Sequence, residues 1–134
     1  AGLCDVAIGN TYYMAAMLKN PEQKAWAESV RIVFPNAADR GTHVNISGMA
    51  LAANAPNKAA AEKLMAYLVL PAAQKIYAEG NSEYPVVPGV DATELVTSWG
   101  ELKPDRLALT EIARLRKEAS ELVDKVQFDA GPGS

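Results

Sequence analysis

With 134 residues, 49% of them hydrophobic and 22% charged, the chain holds enough apolar material for one domain with a core and lacks the composition of a disordered protein. A formal net charge of −3 at pH 7 leaves no cationic footprint, which argues against nucleic acid or an anionic membrane surface as a partner. A single cysteine, Cys4, excludes an intramolecular disulfide and a cysteine-based zinc cluster, and a single histidine, His43, leaves no H-x-x-x-H pair for a zinc hydrolase. No apolar run reaches the roughly 20 residues of a membrane-spanning helix, and the opening Ala1-Gly2-Leu3-Cys4-Asp5 has no basic region of the kind a signal peptide carries.

In chain order, Cys4-Asp5-Val6-Ala7-Ile8 alternates as a strand does, with Cys4 expected as a small core residue. A sheet strand this early implies that its neighbours come from elsewhere, a first sign of truncation. Gly9 breaks the run, and a helix is expected from Thr11 to Lys19, with Asn10 or Thr11 accepting its first N–H groups and Tyr13, Met14, Met17 and Leu18 near one stripe. Asn20-Pro21 stops it, and Pro21-Glu22-Gln23 starts a short helix through Ala25, Trp26 and Ala27. Val30 to Phe34 alternates as a second strand, and Thr42 to Ala52 as a long third one bent at Gly48.

Pro56-Asn57 then caps a helix from Lys58 to about Val69, whose buried face is expected to be Ala60, Ala61, Leu64, Met65 and Leu68. Pro71 opens a further helix that Gly80 is expected to close, and two prolines make Asn81 to Gly89 an irregular crossing. A short helix near Thr93 to Trp99 and a long one from Thr110 to Val126 follow. The long one carries Ile112, Leu115, Ala119, Leu122 and Val126 on one face, and Asp129 to Ser134 reads as a loose tail. Strands alternating with helices make the fold α/β.

Chemistry concentrates at the first strand-helix corner, where open α/β sheets collect their ligands. Adjacent tyrosines, Tyr12 and Tyr13, most often fill a core. A phenol with a pKa near 10 is also a hard oxygen donor once a strongly charged cation displaces its proton, and ferric iron fits that description. Successive helical residues point about 100° apart, so convergence of both oxygens on one ion calls for a kinked junction. The helix start beside them offers free N–H groups and a positive dipole end to an accompanying anion, to which Asn10 can donate its amide.

Three stretches carry a resemblance. Gly9-Asn10-Thr11-Tyr12-Tyr13, then Gly41-Thr42-His43-Val44-Asn45-Ile46-Ser47-Gly48, then Ala78-Glu79-Gly80-Asn81-Ser82-Glu83-Tyr84-Pro85-Val86 resemble, in order and spacing, the signatures of periplasmic ferric-iron-binding proteins. These are the solute-binding components of bacterial iron ABC transporters, and the match corresponds to the C-terminal part of such a protein. The resemblance implies an incomplete type II periplasmic-binding-protein fold whose two lobes close over Fe³⁺. It matches Tyr12 and Tyr13 to paired metal ligands, and Asn10 with Thr11 to the seat of a synergistic anion, carbonate or phosphate.

On the same basis, residues 1–42 form a segment of the C-terminal lobe, 43–90 cross back toward the N-terminal lobe, and 91–134 are a C-terminal helical segment with the tail. His43 is then a strand residue and not a ligand, and Tyr84 a packing residue. The implied partners are the ABC permease, through which alone the protein touches the membrane, and the missing N-terminal part, either in the same protein or as a second chain. The implied location is periplasmic, or extracellular and lipid-anchored. Two other functions stay open: the same fold binding an anion or small organic solute, with the tyrosines stacking on it, and an enzyme using Tyr12 or Glu79 as acid or base.

Overall fold

Pro71 opens a helix and Asn20 ends one as the sequence predicts, whereas the side chains of Asn10 and Asn57 make no capping bond. The computed structural model describes residues 4–128, and the expected tail from Asp129 lies outside them. Among the described residues the helices are α1 (Thr11–Lys19), α2 (Lys24–Glu28), α3 (Lys58–Leu68), α4 (Pro71–Asn81), α5 (Glu94–Thr97) and α6 (Leu109–Lys125). Asn20 works as the joint between α1 and α2. Its N–H closes on the Met17 carbonyl, its side-chain Oδ1 accepts from Glu22 N at 2.9 Å, and its own carbonyl accepts from Lys24 N at 2.9 Å. One residue thereby ends one helix and starts the next.

The helices meet through alanine. Ala15 of α1, Ala27 of α2, and Ala73 and Ala78 of α4 are almost fully buried, and side chains this short let helix backbones approach closely where α1 packs on α2 and α4, and α3 on α4. Val96 of α5 is the largest fully buried side chain among the described residues. Gln74 fastens this assembly. Its Nε2 donates to the Leu68 carbonyl at 2.8 Å at the end of α3, and its Oε1 accepts from Val86 N at 2.9 Å in the proline-bounded crossing. Gln74→Leu fills the same space but strands a part-buried carbonyl and a part-buried N–H. It is expected to lower stability by about 2–3 kcal/mol in urea titration.

Several local expectations are corrected. The runs 4–8, 30–34 and 42–52 belong to no β-ladder; the pairing present is one parallel bridge between Thr42 and Pro104. Alternation in a sequence states which face a segment would bury, and the hydrogen-bonding neighbour has to be supplied separately. Val6 and Ile8 accordingly stand 82% and 86% exposed, and Cys4, expected in a core, is exposed with them. Likewise α6 buries none of its apolar stripe: Ile112 is half-buried, while Leu122 and Val126 are exposed. In α3 the covered positions are Ala61, Met65 and Leu68, whereas Leu64 faces outward.

Gly80 does not close α4. The helix runs through it to Asn81, and Ser82 takes the left-handed position at φ 57° and ψ 37° with its side chain buried. A Cβ on Gly80 would meet nothing within 4 Å, so no close approach demands glycine there. The mild helix penalty of a glycine is small enough for the tertiary placement of Ser82 to override it.

Candidate functional site

The corner after residue 9 is built as a helix entry. Asn10, at φ −80° and ψ 145°, is the extended residue before α1, and its carbonyl accepts from Tyr13 N at 3.2 Å. Thr11, Tyr12 and Tyr13 then occupy the first three helical positions. The two tyrosines lie within regular helix and not at a kink, yet their ring centroids are 4.5 Å apart with planes tilted by 59°. Long side chains leaning together overcome the 100° divergence of their Cα–Cβ bonds. Both rings reach the surface, with Tyr12 38% and Tyr13 55% exposed.

Asn10 does not cap the helix as expected, because its side chain makes no bond to the first-turn N–H groups. A capping Asn contributes about 1 kcal/mol. Here the amide Nδ2 donates instead to Tyr12 Oη at 3.1 Å. Thr11 sits half-buried at the helix start. The N-terminus of α1 therefore keeps its N–H groups free of any side-chain cap, beside a pair of phenol oxygens.

The electrostatics are divided. Hydrogen bonding with the Tyr13 side chain is the largest influence on Tyr12 and holds its phenol above the ordinary tyrosine value; partial desolvation and the charge of Glu83 act the same way, while the Asn10 amide pulls it down. α4 packs against α1, with Lys19 Nζ at the far end of α1 donating to the Gly80 carbonyl at 3.3 Å, and the Glu83 carboxylate just beyond α4 accepts from Asn81 Nδ2 at 3.2 Å. Tyr84, in the same stretch, packs as expected. Its hydroxyl is buried without a hydrogen-bond partner among the described residues, and burial pushes its pKa up.

His43 is exposed beside the Thr42 bridge. Among the described residues, no three His, Cys, Asp or Glu side chains gather closely enough to hold a metal ion. A cavity of about 720 Å³ lies elsewhere, lined by Asp39, Arg40 and the loop from Lys103 to Leu107. No helix of the described residues is long and apolar enough to cross a membrane. The Asn10 bond and the approach of Glu83 were not legible in the sequence, since each depends on how side chains from adjoining elements settle.

Residues 6–104 match the family of bacterial extracellular solute-binding proteins. The chain belongs to that family. It is 41% identical over 130 residues to iron uptake protein A2 of Synechocystis sp., covering 94% of this chain and 38% of that protein. Its structure is similar to the crystal structure of Mannheimia haemolytica ferric iron-binding protein A in an open conformation, with a TM-score of 0.88, 48% identity, and coverage of 96% of this chain and 40% of that one. A Bordetella ferric binding protein gives a TM-score of 0.82 at 51% identity over 96% of this chain and 41% of its own.

This solute-binding protein thus has the type II periplasmic-binding fold, in the α/β class, and spans about two-fifths of the length of these relatives. All three relatives are named for iron uptake or ferric-ion binding, none for catalysis.

Proposed function

We propose that Tyr12 and Tyr13 are tyrosinate ligands of a ferric ion, and that Asn10, Thr11 and the uncapped start of α1 seat a synergistic anion, carbonate or phosphate. The observation that carries this is the pairing of two surface-reaching phenols, rings 4.5 Å apart, on a first helical turn whose N–H groups have no side-chain cap. Hard anionic oxygens suit Fe³⁺, and a helix N-terminus suits the anion that balances its charge. The names of the relatives, all concerned with iron, support the same cargo.

Two phenolates leave an octahedral ferric ion mostly open. The remaining ligands come, in this reading, from polypeptide corresponding to the other three-fifths of the relatives, in the same protein or as a second chain, and that polypeptide also covers Val6, Ile8 and their exposed neighbours. Residues 1–42 then belong to the tyrosine-bearing lobe, 43–90 cross toward the other lobe, and 91–134 return as the helical end. The assembled protein works in the periplasm, free or lipid-anchored, binding iron without turnover and handing it to an ABC permease.

Calorimetry on the protein with its full ligand set tests the cargo. Ferric citrate is expected to bind with high affinity, while phosphate alone, polyamines and thiamine bind at least a hundredfold more weakly, a gap of roughly 3 kcal/mol. Tighter binding of any of those solutes than of iron would assign the site to another cargo.

A further inference from the structure

The bond between Asn10 and Tyr12 points to a role for Asn10 beyond holding an anion. An Asn at this position of a helix ordinarily turns its side-chain oxygen onto the N–H two or three residues ahead. Asn10 makes no such bond and directs its amide to Tyr12 Oη at 3.1 Å. We propose that Asn10 is a positioning residue for Tyr12, fixing the phenol oxygen beside that of Tyr13 before iron arrives; the proposal rests on the ferric reading above.

Hydrogen-bond polarity supports it. An amide N–H can only donate, so Tyr12 Oη accepts from Asn10 while its own O–H is left for another partner. When iron replaces that proton, the Asn10 bond survives and strengthens, because the acceptor has become anionic. The same contact therefore holds Tyr12 in the empty and in the loaded site. The Asn10 amide reaches Tyr12 and not Tyr13, whose neighbour in this corner is the Tyr12 side chain itself. The pair is thus asymmetric: Tyr12 is held by Asn10, and Tyr13, the more exposed of the two, is held through Tyr12.

A double-mutant cycle on the iron-binding protein with its full ligand set, at saturating carbonate and again at saturating phosphate, tests this. Asn10→Ala is expected to weaken ferric affinity roughly tenfold, the equivalent of one charge-assisted hydrogen bond, and to shift and broaden the tyrosinate-to-iron absorption band. In a Tyr12→Phe background the same substitution should change neither. Asn10→Asp, which keeps the side chain's size and removes the donor, should reproduce the band shift in a protein of unchanged circular dichroism.

Three results would overturn the proposal: an Asn10→Ala loss that vanishes at saturating anion, a loss of equal size in the Tyr12→Phe background, or an unshifted band in Asn10→Asp. Failure of the ferric reading shows up separately, as iron affinity and colour that survive loss of both tyrosines.

Discussion

Replacing Tyr12 and Tyr13 together by Phe should bleach the iron-loaded protein and reduce ferric affinity by more than about 10⁴-fold. Loss of an outer-shell partner already costs about 10–100-fold in metal affinity, and each tyrosine here is proposed to be a ligand itself, so two such losses multiply. The colour disappears because the charge-transfer transition needs a phenolate donor, which Phe lacks. The fold should survive, since Phe retains the ring, and the 4.5 Å contact between the two rings needs no hydroxyl.

The pH dependence follows from the same protons. In the proposed site iron binds the deprotonated phenols, so capture should release protons and strengthen as pH rises. Tyr12 is held above the ordinary phenol value chiefly by its hydrogen bonding with Tyr13, then by partial desolvation and by the Glu83 charge. Its proton is therefore retained to higher pH than usual, and acid should discharge the ion. Tyr13→Phe removes one of the two proposed ligands, so the half-loading pH should move upward. Retained colour in the double variant would exclude these residues as ligands, and a half-loading pH unmoved by Tyr13→Phe would exclude Tyr13.

How much of this was legible in the sequence depends on the range of the interactions involved. Helix existence was, because Asn20, Pro21, Pro71 and Thr93 act within a few residues: Thr93 caps α5 through its own hydroxyl to Val96 N. The tyrosine corner was legible too, as a type and order of residues. The strands were not realised here, because Val6, Ile8, Val33 and Ile46 encode a buried face but no ladder among the described residues supplies the pairing that would bury it. The two long-range fasteners were equally hidden. Gln74 reads as an ordinary polar helix residue until its ends are seen to bond Leu68 and Val86. Gly41 reads as a turn glycine, and the backbone it touches is more than sixty residues away.

Gly41→Ala is the substitution expected to damage the fold most. Gly41 has φ +98°, a conformation side-chain-bearing residues rarely adopt, and a Cβ there would stand 2.7 Å from the Lys103 carbonyl oxygen and 2.8 Å from the Pro104 carbonyl. These neighbours are backbone and cannot rotate aside. They are also held: Thr42 N donates to the Lys103 carbonyl at 2.7 Å, Asp105 N to the Thr42 carbonyl at 2.8 Å, and Thr42 Oγ1 to the Pro35 carbonyl at 2.7 Å. Arg40 adds an ion pair at 3.5 Å to the largely covered Asp105 carboxylate. A Cβ thus strains the backbone and pushes apart the bridge joining residues 35–42 to 103–105. Backbone strain of about 1–3 kcal/mol and two hydrogen bonds at about 1 kcal/mol each give an expected loss of roughly 3–5 kcal/mol. Measured against a net stability of about 5–15 kcal/mol, that is roughly a fifth or more of the whole.

Urea titration should show the midpoint falling with an unchanged slope. Gly80→Ala supplies the contrast: it lies within α4, a Cβ there meets nothing within 4 Å, and replacing a helical glycine should stabilise by about 0.5–1 kcal/mol. Equal effects of the two substitutions would show that the close approach at Gly41 is not what holds the segments together. Because α1 makes its own packing with α2 and α4, apart from this bridge, the tyrosine corner should keep its geometry in those Gly41→Ala molecules that remain folded. The same substitution should therefore reduce the amount of iron-competent protein and leave the absorption band of that protein where it was.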